Sequence, residues 1–318
     1  MVGAAASVFF AYLAVRNVDW ALFWDGLRET NYAWLVPCLA TLALAFLIRV
    51  ERWRQLYTPT TRPGFWPATK ALLVGYLLNN LLPARAGDAV RVFYLHNEAG
   101  TSRSESVGTV VTERIYDVLA LLLLLFVAAP FLPEVTWLKR AVYLAAALTA
   151  FVLVLALVLS LYGERPVRRA LRPLARLPGV STDDTERAGQ SLTIGLAGLH
   201  RPKMAFIALS LTTLSWIVVA FSTWFLLIGF DLGVGLGAGF LVLVTTGLAL
   251  VIPSLPAGIG VYEAATLLAL SAYGIDDSRA LSFSVVLHGV NFLPYFLAVY
   301  FVVPRNMRSA LRREVQSS

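Results

Sequence analysis

Between Lys203 and Asp231 the chain carries no charged residue. About 20 apolar residues in helical conformation cross the hydrocarbon core of a bilayer, and in lipid only a helix or a closed barrel satisfies its own backbone. A run of this kind restricts the chain to a fold that lives in a membrane. The composition agrees: 58% of the residues are hydrophobic and 14% are charged, against about 25% charged in soluble domains. The runs 107–130, 141–162 and 280–303 read as further spans. Two shorter runs, 2–15 and 32–48, are usable, the first because Arg16 can snorkel and Trp20 and Trp24 can sit at the interface. The first run begins directly after Met1 with no basic segment before it, so it reads as an anchor and not as a cleaved signal.

Basic residues orient the spans. Segment 49–70 holds Arg49, Arg52, Arg54, Arg62 and Lys70; segment 163–203 is richer still, from Arg165 to Lys203; the tail carries Arg305, Arg308, Arg312 and Arg313. These face the cytoplasm in this reading. The connections 16–31, 131–140, 231–239 and 275–279 carry five basic residues against seven acidic ones and face outside. The chain is then inside on both sides of 71–106 and outside on both sides of 240–274. The expectation is an all-α polytopic protein with six full spans and two re-entrant helical hairpins of opposite orientation, both termini being cytoplasmic. No stretch is polar enough for a separate soluble domain, so residues 1–318 form one membrane domain.

Each hairpin is interrupted by an unusual polar tip. The first is "GYLLNNLLPARAGDAVRVFYL", with Asn79, Asn80, Pro83, Arg85, Gly87, Asp88 and Arg91; the second is "PSLPAGIGVYE", with Pro253, Pro256, Gly258, Gly260, Tyr262 and Glu263. Irregular backbone at membrane depth survives where protein buries it or water reaches it. Span, hairpin, span recurs in 32–130 and 204–303 with reversed direction, which is the inverted-repeat plan of many transporters that bind substrate between the repeats.

The half-helix N-termini at the tips favour an anion. Arg85 and Arg91 add full charge in a form that grips phosphate bidentately; the alternative is that they snorkel and pair with Asp88 or Glu98. Asn79, Asn80 and Asn291 can satisfy backbone groups at the breaks, the last being expected to be structural. "TERIYDV" puts Glu113, Arg114 and Asp117 early in a long span. Such groups are costly there unless they face the bundle interior or water, and the acids are expected to pair with Arg85 or Arg91. Glu263 has no base near it in sequence before Arg279 and could carry a proton or receive an arginine from the first hairpin. Tyr262 is a candidate cavity residue, and His288 reads as a packing histidine. Cys38 stands alone and the three histidines are far apart, so neither a metal nor any other cofactor is expected.

Four segments in order, "VERWRQLY", "GYLLNNLLPARAGDAVRVFYL", "TVVTERIYDVLALL" and "IPSLPAGIGVYEAATLLAL", resemble the flippase-like membrane domain of lysylphosphatidylglycerol synthases. The likeness runs from about residue 10 to about residue 305. Where the family often has Glu after the glycine of the first tip, this chain has Asp88, which keeps the charge. The resemblance implies movement of a lipid between leaflets. It does not imply aminoacyl transfer, since the chain offers no room for the soluble catalytic domain. The expected function is therefore a flippase or scramblase for a phosphate-bearing phospholipid, glycolipid or polyprenyl-phosphate lipid in the cytoplasmic membrane of a prokaryote. Membrane lipids would be its partners, with a functional link to a lipid-modifying enzyme and no nucleic acid. No P-loop is present, so ATP drive is not expected. The rivals are a polytopic transferase using a lipid-linked sugar, for which Asp276 and Asp277 are the one external acidic pair, and an ion-coupled small-solute transporter.

Overall fold

The computed structural model describes residues 2–82, 85–162, 202–250 and 254–302. Among them are α-helices, short 3-10 turns and no strand. In chain order the helices are α1 (Val2–Val15), α2 (Trp20–Glu29), α3 (Leu35–Gln55), α4 (Phe65–Leu81), α5 (Gly87–Ala99), α6 (Arg103–Ala128), α7 (Thr136–Tyr162), α8 (Pro202–Gly229), α9 (Leu236–Ala249), α10 (Val261–Ser271) and α11 (Asp277–Val302). Tyr32–Gln55, Arg103–Phe131, Met204–Gly229 and Asp277–Phe301 are long and apolar enough to cross a bilayer. The runs 2–15 and 141–162 are helical as well, in α1 and α7. The chain is an all-helical, multi-pass membrane protein. Pro83, Pro253, Arg165 to Arg201 and the tail arginines lie outside the described residues.

Helices α4 and α5 fold back on each other. Lys70 pairs with Glu98 at 2.6 Å near the open end, Gly75 lies beneath Arg91, and Asn79 meets Asp88 at the tip. Contacts at 70–98, 75–91 and 79–88 keep a nearly constant sum, the signature of an antiparallel pair. Glycine makes the approach possible: a Cβ on Gly75 would stand 2.9 Å from Cβ of Arg91, and one on Gly87 would strike the Gly75 carbonyl oxygen and the Asn79 nitrogen. Helices α9 and α10 pair likewise, with Gly237 beneath the Tyr273 hydroxyl and Gly258 beneath Leu250. Their connection turns through left-handed backbone at Ala257 (φ 61), Gly258 (φ 76) and Gly260 (φ 87).

The halves interlock. Helix α3 lies along α8, where the Ser222 hydroxyl donates to the Cys38 carbonyl at 3.0 Å. Helix α4 packs on α11, and α9 packs on α6. Helix α1 covers the second turn, and its Ser7 Oγ accepts a hydrogen bond from the Leu255 amide at 2.8 Å. Helix α2 is capped by Asp19, which accepts from the Ala21 amide at 2.8 Å. It buries Phe23 and Gly26 against α11 and leaves Trp20 and Trp24 exposed.

One boundary differs from the sequence reading in a way that matters. The run 32–48 does not end its helix before Arg49; α3 continues to Gln55. Arg49 and Arg52 therefore do not belong to a loop, and they cannot count toward its charge. Arg52 is 1% exposed. A helix can carry an arginine that deep only where carboxylates wait for it, and α6 provides them.

Candidate functional site

A cavity of about 510 Å³ opens where the two broken hairpins approach each other. Asn79, Asn80 and Arg85 border it from the first break, and Ser254 to Gly258 from the second. Arg49 of α3, Arg114 and Asp117 of α6, Trp216 of α8, and Tyr295 of α11 close the remaining sides. The size lies within the roughly 300–1,000 Å³ of small-molecule pockets.

Behind one wall stands a cluster of three arginines and three carboxylates. Arg52 bonds Glu113 at 2.9 Å and Asp117 at 2.5 Å. Arg91 bonds Glu113 at 3.1 Å and Asp88 at 3.2 Å, with its guanidinium 4.9 Å from the Trp53 ring centre. Arg114 reaches all three acids at 3.3 to 3.5 Å. Glu113 and Arg91 are fully buried. The three positive charges match the three negative ones, so the cluster is neutral. It ties α3, α5 and α6 together near the tip of the first hairpin.

Two cations fall outside that balance. Arg49 lies over the Trp216 ring, 4.5 Å from its centre, and Trp216 donates its indole N–H to Asp117 at 3.2 Å. Arg85 sits at the tip with φ 56, a conformation that L-residues other than Asn or Asp seldom adopt. Its Nη2 donates to the Leu250 carbonyl at 3.1 Å, at the C-terminus of α9 where the helix dipole welcomes a cation. Neither has a carboxylate partner among the described residues. Both border the cavity.

The tips themselves are less open to an anion than their helix ends suggest. The Asp88 amide at the start of α5 donates to Asn79 Oδ1 at 3.1 Å, while Asn79 Nδ2 donates to Asp88 Oδ1 at 3.0 Å. At the start of α10 the Gly260 amide donates to Glu263 Oε2 at 2.7 Å. Each helix end is served by the chain's own polar side chains, which leaves the arginines as the anion-seeking groups.

The residues singled out in the sequence converge, with differences. Asn79, Asn80, Arg85, Arg114, Asp117, Tyr262, Pro256 and Gly258 border the cavity. Arg91, Asp88, Gly87, Glu113, Gly260 and Glu263 stand outside its lining. Glu113 does pair with Arg91, but Asp117 pairs with Arg52 and Arg114, and neither acid bonds Arg85. Glu263 is not without a base: His288 Nδ1 lies 2.6 Å from its Oε1. Asn291 Nδ2 donates to the Leu287 carbonyl and reaches the Tyr262 hydroxyl at 3.4 Å. Arg49, Arg52 and His288 are the residues that sequence reasoning missed as site groups. The signal was present in each case, an ionisable side chain on a helix long enough to cross the membrane.

Comparison with known proteins agrees with this architecture. No solved structure matches the chain. A membrane protein of Methanocaldococcus jannaschii (UPF0104 membrane protein MJ1078) is 23% identical over 240 residues, covering 74% of this chain and 98% of its own. A second, from Pyrococcus horikoshii (UPF0104 membrane protein PH1989), is 25% identical over 170 residues, covering 49% of this chain and 50% of its own. The family described as lysylphosphatidylglycerol synthase TM region matches residues 1–298. With nearly all of the described helices inside that match, the chain belongs to the lysylphosphatidylglycerol synthase transmembrane-region family.

Proposed function

We propose that the protein moves an anionic, phosphate-bearing lipid between leaflets, with the headgroup passing through the cavity between the two breaks while the chains stay in lipid. The observation that carries this is the pair Arg49 and Arg85: two cations on a cavity wall, beside a cluster whose own charges already cancel. An arginine at membrane depth without a carboxylate is costly, and a phosphate would repay that cost by two parallel hydrogen bonds. Arg85 and Arg49 hold the phosphate in this reading, with Arg114, Asn79 and Asn80 beside them. Arg91, walled in by Asp88, Glu113 and Trp53, acts through the acids it fixes.

The finer architecture belongs to the same proposal. The two hairpins enter from opposite sides, and 32–130 and 204–303 are inverted repeats. Reciprocal packing supports this: the first hairpin leans on α11 of the second half, the second leans on α6 of the first, and the corresponding helices α3 and α8 pair with each other. Orientation with the termini in the cytoplasm, residence in a prokaryotic cytoplasmic membrane, a translocating and not a catalytic role, and a link to a lipid-modifying enzyme follow as parts of the proposal.

The test is leaflet exchange in liposomes. Purified protein should accelerate exchange of a labelled phosphate-bearing lipid without ATP, and Arg85→Gln should slow it. Exchange no faster than in protein-free vesicles, across phospholipid, glycolipid and polyprenyl-phosphate probes, refutes the proposal.

A further inference from the structure

The cluster at the second break has a chemistry that lipid binding does not use. His288 on α11 is held at both ring nitrogens. Nε2 lies 3.1 Å from the Ala257 carbonyl oxygen, and Nδ1 lies 2.6 Å from Glu263 Oε1. A carbonyl only accepts, so Nε2 must carry a proton. The contact between Nδ1 and the carboxylate also needs a proton, because a bare ring lone pair facing a bare carboxylate oxygen at that distance is repulsive. The other carboxylate oxygen is engaged by the Gly260 amide at 2.7 Å. The Tyr262 ring stacks on the imidazole, centres 4.5 Å apart. Whether the bridging proton is drawn on nitrogen or oxygen, the pair holds one shared proton and no net charge.

That proton has a structural task. Through Ala257 and Gly260 the pair grips both ends of the left-handed turn. The same turn, from Ser254 to Gly258, is a wall of the cavity. His288 and Glu263 are 16% and 14% exposed, so the pair is not sealed inside the bundle.

The surroundings leave the pair to itself. Helix α9 has no ionisable residue, nor has α8 from Met204 to Gly229. The one titratable side chain of α1, Tyr12, is 62% exposed. On α4, Tyr76 packs on Tyr295 of α11 and Lys70 is paired with Glu98. Helix α2 meets α11 at Ser282. Of the cavity arginines, Arg114 bonds Asp88, Glu113 and Asp117, Arg85 bonds the Leu250 carbonyl, and Arg49 lies over the Trp216 ring.

We propose that Glu263 and His288 form a proton-binding site whose single shared proton fastens the second break to α11, so that opening of this cavity wall is linked to release of one proton to water. Its functional arm rests on the lipid-translocation reading; the binding site itself does not. With one proton lost, the neutral ring can donate to Glu263 or to the Ala257 carbonyl but not to both, so one of the two fastenings of the turn is given up and opening should rise as pH increases. Glu263→Gln separates the proton from the bond. Its amide can donate to Nδ1 of a neutral imidazole that keeps its Nε2 proton, so the turn stays fastened without the shared proton.

The experiment is nitrogen-15 NMR of histidine in lipid nanodiscs, from pH 5 to 10. The chain has three histidines, and His→Gln changes assign them. The pH profile of the His288 signals should differ between the wild type and Glu263→Gln, which has no carboxylate to share the proton. A cysteine replacing Ser254, in a Cys38→Ala background, should gain labelling over the same range, measured against one replacing exposed Ser102 to remove the thiol's own pH dependence. Leaflet exchange should rise with pH at a slope approaching about tenfold per unit, the limit for one linked proton, and flatten in Glu263→Gln. A His288 signal that is unchanged by Glu263→Gln, or that shows no transition, overturns the site. A normal NMR transition with pH-independent labelling and exchange overturns the linkage. If no lipid exchanges in any variant while the NMR and labelling transitions appear, the lipid reading fails and the proton site stands.

Discussion

Replacing Arg52 with glutamine tests the neutral cluster most directly. The wild-type cluster has three guanidinium groups against three carboxylates, and Arg52 is the member that bonds both Glu113 and Asp117. Removing one partner of a buried ion pair costs about 3–5 kcal/mol. The structure places this case at the lower end. Glu113 keeps Arg91 at 3.1 Å and Arg114 at 3.3 Å, and Asp117 keeps Arg114 at 3.5 Å and the Trp216 indole at 3.2 Å. About 3 kcal/mol corresponds to roughly a hundredfold shift toward the unfolded state. Unfolding titrations in mixed micelles resolve a change of that size. The double change Arg52→Gln with Asp117→Asn removes one charge of each sign and should recover most of the loss. If Arg52→Gln unfolds within about 0.5 kcal/mol of the wild type, the range of ordinary surface substitutions, the neutral-cluster argument is wrong. A double variant no more stable than the single one refutes it equally.

Arg49→Gln and Arg85→Gln should behave in the opposite way, lowering leaflet exchange at least about tenfold while unfolding stays within about 0.5 kcal/mol of wild type, because neither leaves a carboxylate behind; Arg85→Lys should restore only part, lacking the planar fork. Gly87→Ala puts a methyl group against backbone of α4 and should destabilise by about 1–3 kcal/mol or more, as overpacking does, read by the same titration. For topology, single cysteines at exposed Ser102 and Asp276, in a Cys38→Ala background, should label from opposite sides of the membrane; labelling of both from one side refutes the opposed hairpins.

Much of the helical plan was legible because it rests on run length and on local breakers. Lipid leaves a chain with few backbone options, so a long uncharged run such as 204–230 can hardly be misread. The interruptions after Leu81 and after Ala249 were legible for the converse reason: clustered proline and glycine beside polar residues disfavour an uninterrupted lipid-facing helix. The boundary of α3 was not. Its apolar run stops at Ile48, and local hydropathy hands Arg49 and Arg52 to a loop. What holds Arg52 in the helix is carboxylate on α6, more than sixty positions later, and what receives Arg49 is the Trp216 ring on α8; no window along the chain contains either pair of partners.

Pairing decided the site in the same way. Glu263 looked solitary because its base lies 25 positions away on another helix, and Asp117 could not be assigned between four arginines by spacing alone. Sequence identifies which ionisable groups are too deep to be idle; it does not say which of them cancel. Once Arg52, Arg91 and Arg114 are matched against Asp88, Glu113 and Asp117, the remaining cations carry the functional argument. Arg85 was singled out by its place in the first break and Arg49 was not. Both face the cavity, and an anion entering there meets charge that no carboxylate among the described residues pairs with.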